Sequence, residues 1–260
     1  MAPSRESVSP WRPTLTRNVA PGIHRLAHAN VNCYLVVEGE DVTIVDAAFP
    51  TTWGPLLRAL RAVGRSPADV AALVLTHAHF DHLGFASRVV SQLQVPVWLH
   101  PADASLAARP YRYAHESSRL AYPLLYPMGV PRLLAMTLAG AWNVPGVDEV
   151  RDLPASGELD VPGSPSIVFT PGHTFGHCAL HFPSRETVLS GDALVTLDPY
   201  KGARGPQIVA GAATADSELA LRSLSPLADT EARILLPGHG EPWRAGARAA
   251  VDAAIAVGPS

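Results

Sequence analysis

Short apolar runs, separated by glycine, proline and polar turn residues, are the main pattern along this chain of 260 residues. Segments of four to seven residues that contain these apolar runs predict strands at residues 22–26, 31–37, 42–46, 70–76, 95–100, 166–170, 178–182, 187–190 and 233–236. Helical spacing predicts helices at residues 55–63, 85–93, 103–108, 132–141 and 216–224. Strands that alternate with helices in this way are typical of an α/β fold.

The segment at residues 109–150 interrupts this alternation. Its prolines prevent one continuous helix, and its apolar residues outnumber its charges. These apolar residues are Leu120, Leu124, Leu125, Met128, Leu133, Leu134, Met136 and Leu138. Such a segment is either a piece of the core or a lid over a pocket. We favour a lid, because long loops inside compact domains are usually functional.

Composition indicates one domain with a sizeable core. The chain is 47% hydrophobic and its net charge is −3, with no block of like charge, so a nucleic-acid partner is not expected. We expect an N-terminal extension at residues 1–21 and a single domain at residues 22–260. The oligomeric state is left open.

Cellular location is predicted from the cysteines and the start of the chain. Cys33 and Cys178 lie in apolar stretches, which predicts buried free thiols and a reducing compartment. The first thirteen residues are polar and proline-rich, and no apolar run reaches the length of a membrane span. We therefore expect a soluble, cytoplasmic protein with no membrane partner.

Four potential metal ligands follow the strand predicted at residues 70–76. His77 and His79 stand two residues apart, so both can face the same way while the chain is extended. Asp81 and His82 come next, where the backbone can turn to the other side of the same point. Imidazole and carboxylate are ligands of zinc, and also of iron or manganese. The pattern predicts a site for two neighbouring metal ions rather than a chance cluster of surface histidines.

Three more residues of the ligand type have a similar setting, a short apolar strand that ends in a glycine-containing turn. They are His173 in Pro171-Gly172-His173-Thr174, Asp192 in Ser190-Gly191-Asp192 and His239 in Pro237-Gly238-His239-Gly240. Asp46 also lies at the end of an apolar strand. It either orients a ligand histidine through a hydrogen bond or caps the helix that follows.

The motif His77-x-His79-x-Asp81-His82 and the three motifs around His173, Asp192 and His239, in this order, resemble those of the metallo-β-lactamase superfamily. The resemblance covers about residues 22 to 245. It implies an αββα sandwich of two mixed β-sheets flanked by helices. It also implies a first metal bound by His77, His79 and His173, a second bound by Asp81, His82 and His239, and a bridging carboxylate from Asp192. Asp46 matches the aspartate that supports this site in the family.

A dinuclear site of this kind predicts hydrolysis. Two divalent ions lower the pKa of a bridging water, so that a hydroxide is available at neutral pH to attack a carbonyl or a phosphoester. We expect a zinc-dependent hydrolase of esters, thioesters or lactones, with Asp81 and Asp192 as catalytic carboxylates. Two Zn²⁺ are the expected cofactors, and iron or manganese are alternatives.

Other branches of the superfamily fit less well. β-Lactamases of this fold are exported and lack the bridging aspartate, so antibiotic hydrolysis is not expected. Glyoxalase II shares all seven ligands, but only 21 residues follow His239, and we expect no glutathione requirement. Persulfide dioxygenases use one iron held by two histidines and one aspartate, whereas both ligand sets are complete here. A non-catalytic binding module is disfavoured because no ligand is missing.

Several residues are candidates for substrate contact. Lactonases of the superfamily place a tyrosine near the substrate carbonyl, and the candidates are Tyr122, Tyr126 and Tyr200, unless these side chains only pack. Lys201 and Arg204 either hold a substrate carboxylate or phosphate or lie in a solvated loop. His177 fits no ligand position and is expected to support the site. The apolar lid predicts a small-molecule substrate with a hydrophobic acyl group.

Overall fold

The structure, a computed structural model, describes residues 11–118 and 122–259, so Leu120 of the predicted lid lies outside the described residues. The centre of the molecule consists of two β-sheets. The first contains β1 (Thr14–Ala20), β2 (Ile23–His28), β3 (Val31–Glu38), β4 (Asp41–Val45), β5 (Val70–Val74), β6 (Val97–Leu99) and β7 (Arg151–Asp152), in chain order.

The second sheet is formed by the other half of the chain. Its strands are β8 (Ser156–Glu158), β9 (Ser166–Phe169), β10 (Cys178–Phe182) and β11 (Thr187–Gly191). A separate ribbon follows, made of β12 (Val195–Leu197) and β13 (Arg204–Gln207). The last strand, β14 (Ile234–Pro237), returns to the second sheet, whose order is β14-β11-β10-β9-β8.

Both sheets are mixed. In the first, β1 to β4 pair antiparallel and β4 to β7 pair parallel. In the second, β8 to β11 pair antiparallel, and β14 pairs parallel to β11. Parallel neighbours deliver their carboxyl ends to the same edge of a sheet, which is where the predicted metal ligands follow β5, β11 and β14.

Side-chain alternation along the strands produces two cores on the two faces of the first sheet. In β3, Val31, Cys33 and Leu35 enter the core beneath the outer helices, whereas Tyr34 and Val36 enter the core between the sheets. Both faces are buried, which explains why the strand is apolar almost throughout. Cys33 and Cys178 belong to different cores, and both are buried free thiols, as predicted.

Helices cover the outer faces of both sheets. The first sheet is covered by α1 (Trp53–Ala62), α2 (Phe80–Leu83), α3 (Ala86–Arg88, continued by a π-helical turn at Val89–Leu93), α4 (Ala104–Ala108), α5 (Tyr122–Leu125) and α6 (Val130–Leu138). The second is covered by α7 (Ser217–Arg222), α8 (Ser225–Asp229) and α9 (Ala247–Val257). The predicted αββα sandwich is confirmed. No helix in the described part of the chain is long and apolar enough to cross a bilayer.

The first sheet begins earlier than the sequence pattern predicts. Residues 14–20 lie within the expected N-terminal extension, yet they form β1 and pair antiparallel with β2. β1 is an edge strand with an exposed middle, and its apolar alternation is therefore weak. The ribbon β12–β13 and the helices α8 and α9 were also not predicted.

The segment at residues 109–150 has two sides of different character. Its inner side, which includes Tyr113, Tyr122 and Met136, joins the core beneath the outer helices. Its outer side exposes Leu124, Leu125, Met128, Leu134 and Leu138. Part of the segment is therefore core, and its most apolar residues face solvent.

Candidate metal centre

Seven side chains converge at the strand ends where the two sheets meet. They are His77, His79, Asp81, His82, His173, Asp192 and His239, and all are buried. The turn after β5 supplies His77 and His79, and α2, which follows it, supplies Asp81 and His82. The turns after β9, β11 and β14 supply one each. The structure thus brings together every metal ligand that the motifs predicted.

The side chains fall into groups that are compact enough to hold an ion. Among the described residues, the sets His77-His79-His173, Asp81-His82-His239 and His77-His82-Asp192 each have ligand atoms within 4.8 Å of one another. The first two sets are the two triads that the resemblance implied. The third set joins Asp192 to members of both triads.

The Asp192 carboxylate lies between the triads. Its Oδ2 atom is 3.0 Å from His239 Nε2 and 3.5 Å from His173 Nε2. Its Oδ1 atom is 3.5 Å from His82 Nε2. His239 Nε2 is also 3.4 Å from Asp81 Oδ2. A carboxylate with these neighbours has the position that a bridging ligand requires.

The unpaired atoms of the cluster fit a metal. In the described part of the chain, nine buried side-chain nitrogen or oxygen atoms lack a hydrogen-bond partner, and five of these are in this cluster. They are the Nε2 atoms of His77, His79, His82 and His173, and Asp192 Oδ1. Buried polar atoms are almost always satisfied, so five unpaired atoms that face one another are the donor set of a cation site.

Four of the histidine rings are held by their Nδ1 atoms. His82 Nδ1 lies 3.0 Å from Asp46 Oδ2, and His239 Nδ1 lies 2.8 Å from the Asn30 carbonyl oxygen. His77 Nδ1 lies 3.0 Å from Thr76 Oγ1, and His173 Nδ1 lies 3.4 Å from Thr214 Oγ1.

These contacts determine the tautomer of each ring. Thr214 Oγ1 donates to the Val209 carbonyl oxygen, so it accepts from His173 Nδ1–H. Thr76 Oγ1 donates to Asp46 and accepts from His77 in the same way. Each Nδ1 therefore carries a proton, so that in the neutral ring the lone pair is on Nε2, the atom that would bind a metal.

Asp46 connects two of the proposed ligands. Its carboxylate accepts from the Thr76 amide at 2.8 Å, from Thr76 Oγ1 and from His82 Nδ1. The residue itself adopts a positive φ of 62°, which this network of contacts stabilises. Of the two roles considered for Asp46, the structure favours orientation of a ligand histidine.

His177 supports the position of Asp192. Its Nε2 atom accepts hydrogen bonds from the backbone amides of Asp192 and Ala193 at 3.0 and 3.2 Å, and its Nδ1 lies 2.8 Å from Thr170 Oγ1. Burial, assisted by His173, lowers the pKa of His177 to about 3. The ring is thus neutral and acts as an acceptor, which agrees with its predicted supporting position.

Asp103 is a buried carboxylate that the sequence pattern did not single out. Its Oδ2 accepts from Thr174 Oγ1 at 2.7 Å and from the Ala78 amide at 3.2 Å, and its Oδ1 accepts from the Gly176 amide at 2.8 Å. Ala78 lies between His77 and His79, and Thr174 follows His173. Asp103 therefore joins the two loops that carry the first triad. Its place after a strand, like that of Asp46, is the only signal in the sequence.

Steric exclusion explains why position 238, in the motif before His239, is a glycine. A Cβ atom at Gly238 would lie 2.0 Å from Asp192 Oδ1 and 2.7 Å from His82 Cε1. No other residue fits between these two side chains without displacing one of them.

Protonation differs between the two triads when no ion is bound. Burial lowers the pKa of His79 to about 3 and also lowers the pKa of His77 and of His173. Burial, the largest single effect, acts in the same direction on His239, but the carboxylates of Asp192 and Asp81 together outweigh it and raise that pKa to about 10. Protons therefore occupy part of the second triad, and a metal has to displace them.

A small, narrow cleft opens above the cluster. It is lined by His79, Phe80, Asp81, Tyr113, His173, Asp192, Pro199, Tyr200, Val209, Ala213 and His239. Among the predicted tyrosines, Tyr200 lies on this cleft. Tyr122 packs against Tyr200 instead, and Lys201 lies 5.7 Å from the centre of the Tyr126 ring.

The leucines and methionines named for the predicted lid do not line the cleft, as far as the structure describes them. Leu124, Leu125, Met128, Leu134 and Leu138 do not line the cleft, and Met136 packs in the core. Tyr113 is the member of the segment at residues 109–150 that lines it, and it was not predicted. The helical spacing of the segment did not reveal which apolar face turns inward.

Comparison with known proteins gives consistent matches over most of the chain. A family model described as the metallo-beta-lactamase superfamily matches residues 28–239. The probable metallo-hydrolase YflN of Bacillus subtilis is 28% identical over 237 residues, which cover 86% of this chain and 85% of YflN.

Comparison with solved structures also gives matches to proteins of this kind over most of the chain. The metallo-beta-lactamase family protein TTHA1429 of Thermus thermophilus has 26% identity and a TM-score of 0.63, and the match covers 90% of this chain and 78% of that one. TTHA1623, solved in a di-iron-bound form, has 29% identity and a TM-score of 0.58, and the match covers 84% of this chain and 92% of that one.

Proposed function

Because the chain belongs to the metallo-β-lactamase superfamily, we propose that it is a dinuclear zinc-dependent hydrolase of esters, thioesters or lactones. The resemblance predicted from the motifs is confirmed, and the protein is a metal-dependent hydrolase like its relatives. The number and identity of the ions and the class of substrate are the parts that we propose.

One observation carries the proposal. Four histidine Nε2 atoms and one Asp192 oxygen are buried, unpaired and directed into a single cluster. Two triads share this cluster, with the Asp192 carboxylate between them. We assign His77, His79 and His173 to one ion and Asp81, His82 and His239 to the other, with Asp192 as the bridge.

Ions bound there would lower the pKa of water and polarise a substrate oxygen, which is the chemistry of metal-assisted hydrolysis. The protein contributes orientation. Asp46, Thr76, Thr214 and the Asn30 carbonyl hold four rings with their Nε2 lone pairs inward. His177 holds Asp192 through the backbone. Asp81 and Asp192 both line the cleft, which supports the catalytic roles that we propose for them.

The walls of the cleft favour an apolar group on the substrate. Phe80, Tyr113, Pro199, Tyr200 and Val209 line it, and no lysine or arginine does among the described residues. The ring of Tyr113 lies 4.5 Å from the ring of His79. We therefore propose Tyr113 and Tyr200 as residues that contact the acyl group or its carbonyl. These aromatic walls replace the leucines of the predicted lid as the basis for a hydrophobic acyl substrate.

Iron is the second candidate for the metal. The relative TTHA1623 was solved in a di-iron-bound form, and it shares 29% identity with this chain. Imidazole and carboxylate ligands accept either metal. Elemental analysis of the purified protein separates the two, and a single iron per chain would favour the oxidative alternative.

To test the proposal, kcat/KM is measured for acyl esters, thioesters and lactones of increasing acyl length. Hydroxyacylglutathione is included as a comparison substrate. Each methylene that enters the cleft contributes about 0.8 kcal/mol, or close to fourfold in kcat/KM. Because the cleft is small, we expect the gain to stop after a few carbons. Efficient cleavage of the glutathione thioester with no dependence on acyl length would contradict the proposal.

A further inference from the structure

The outer side of the segment at residues 122–142 exposes an unusual amount of apolar surface. Among the residues that the structure describes, twelve large hydrophobic side chains are exposed, and seven of them lie in this short stretch. They are Leu124, Leu125, Met128, Val130, Leu134, Leu138 and Trp142, which we call the apolar face. Exposed apolar residues are normal when scattered, but a concentration of them indicates a binding surface.

The apolar face follows from the periodicity of α6. Val130, Leu134 and Leu138 recur every four residues and lie on the outer side of the helix, while Ala135 and Met136 enter the core. Trp142 continues the same spacing after the helix and is 78% exposed. A helix that is apolar on both sides is expected only where each side has an apolar environment.

Cations border this face. Arg132 is the sole charged residue in the sequence between positions 122 and 147, and its guanidinium approaches Gly202, which also packs near Met128. Lys201 precedes Gly202 in the loop between β12 and β13, and Arg204 begins β13. None of these three cations is in an ion pair with a described residue. Asp198, the nearby carboxylate, is fully buried and accepts backbone amides.

We propose that the apolar face, with Arg132, Lys201 and Arg204, docks on an anionic lipid surface. Leucine, methionine and tryptophan side chains enter the boundary between headgroups and acyl chains, and lysine and arginine pair with anionic headgroups. Such docking needs no membrane-spanning helix, so it revises the expectation that the protein has no membrane partner. It goes beyond the proposed hydrolysis and does not depend on it.

A lipid surface suits these charges better than a second copy of the chain does. In a two-fold interface the same patch meets itself, so the three cations would face one another with no acidic side chain of the patch to pair with. Like charges across an interface are unfavourable. An anionic membrane supplies the opposite charge and an apolar environment together.

The docking side also adjoins the cleft. Tyr122 packs against Tyr200, with ring centroids 5.9 Å apart, and Tyr200 lines the cleft. A Cβ atom at Gly129 would lie 2.0 Å from the Tyr200 carbonyl oxygen, so the start of α6 lies directly against this wall. A bound lipid surface would therefore lie next to the wall of the cleft.

The experiment is sedimentation of the full-length protein with vesicles. One set is pure phosphatidylcholine, and the other is phosphatidylcholine and phosphatidylglycerol in equal parts. We expect binding to the anionic vesicles, little binding to the neutral ones, and loss of binding in 1 M salt, where the screening length is about 3 Å. The double variant Leu134→Gln/Leu138→Gln should lower the partition coefficient at least about tenfold. Lys201→Gln/Arg204→Gln should lower it roughly fivefold per charge.

The control variant is Ile255→Gln/Val257→Gln on α9. These two side chains are 54% and 59% exposed, which is close to Leu134 and Leu138 at 50% and 68%, but they lie outside the apolar face. The control should bind vesicles like the unmodified protein. Absence of vesicle binding, or equal loss in both leucine and control variants, overturns the proposal. So does a dimer in lipid-free solution that Leu134→Gln/Leu138→Gln dissociates, because the face would then be an interface between two copies.

Discussion

Replacement of Asp103 by asparagine is expected to weaken metal binding, although the hydrogen bonds of Asp103 go to Ala78, Thr174 and Gly176 and not to a metal ligand side chain. The carboxylate accepts three hydrogen bonds, from Thr174 Oγ1 at 2.7 Å, from the Gly176 amide at 2.8 Å and from the Ala78 amide at 3.2 Å. An amide has one acceptor oxygen, so at least one of these contacts is lost. The best orientation keeps the oxygen toward Gly176 and turns the NH₂ group toward Thr174, whose hydroxyl can accept. The Ala78 amide is then left without an acceptor.

The magnitude follows from this single loss. A hydrogen bond to a charged group contributes about 1.5–3 kcal/mol, and a buried unsatisfied amide costs a similar amount. Burial raises the pKa of Asp103, which means that its charge carries a desolvation cost that asparagine avoids. The net loss in the free energy of unfolding should therefore be about 1–3 kcal/mol. Because Ala78 lies between His77 and His79, we expect metal affinity to fall about 10–100-fold, as for other groups that orient ligands.

Asp198→Asn is the matched control. Asp198 is also buried, and it also accepts three hydrogen bonds, from the amides of Tyr200 at 2.8 Å, Lys201 at 3.1 Å and Ala210 at 3.0 Å. It holds the wall of the cleft, and no proposed metal ligand is among its partners. Urea unfolding of the metal-free proteins should show similar losses for both variants. Competition with a chromophoric chelator should show weaker metal binding for the Asp103 variant alone. Equal metal affinity in the two variants would refute the positioning role of Asp103.

Other predictions concern the metal ligands themselves. Asp192→Ala should reduce hydrolysis by more than about a hundredfold, because loss of a ligand lowers activity more than loss of a group that orients a ligand. The far-UV circular dichroism spectrum should be retained. Full activity with two bound metals would contradict the bridging role of Asp192. After dialysis, His173→Ala should lose mainly the first metal and His239→Ala mainly the second, which elemental analysis can measure. Equal loss of both metals in each variant would contradict the assignment of two triads. Metal binding near pH 8 should release protons, because the pKa of His239 is about 10 in the metal-free protein and its proton leaves when the metal binds. Metal affinity should therefore fall as the pH is lowered. Calorimetry in buffers of different ionisation enthalpy measures the number of protons released. Tyr200→Phe should change kcat or KM for the best substrate without changing the metal content, and no change in either constant would remove Tyr200 from the substrate site.

The sequence by itself determined the metal cluster and most of the fold. Each proposed ligand follows a strand end within eight residues, and each of these strands has an apolar pattern strong enough to be predicted locally. Because β9, β11 and β14 run in the same direction in the second sheet, His173, Asp192 and His239 follow at one edge of it. His77 follows β5 of the first sheet, and its meeting with the other three was implied by the resemblance of the motifs. The buried faces of β3 show the same local control, since alternation alone separates its two cores.

Only the tertiary structure decided which groups hold those ligands and what lies above them. Asp103 and Gly176 are 73 residues apart, and Asn30 and His239 are 209 apart. No local pattern records a hydrogen bond across such a distance. The segment at residues 109–150 shows the same limit. Its apolar residues predicted an inward roof, yet Leu124 is 86% exposed. When both sides of a helix are apolar, the periodicity of its sequence does not show which side is buried. Here the packing of the segment against Tyr200 and the core determines the buried side.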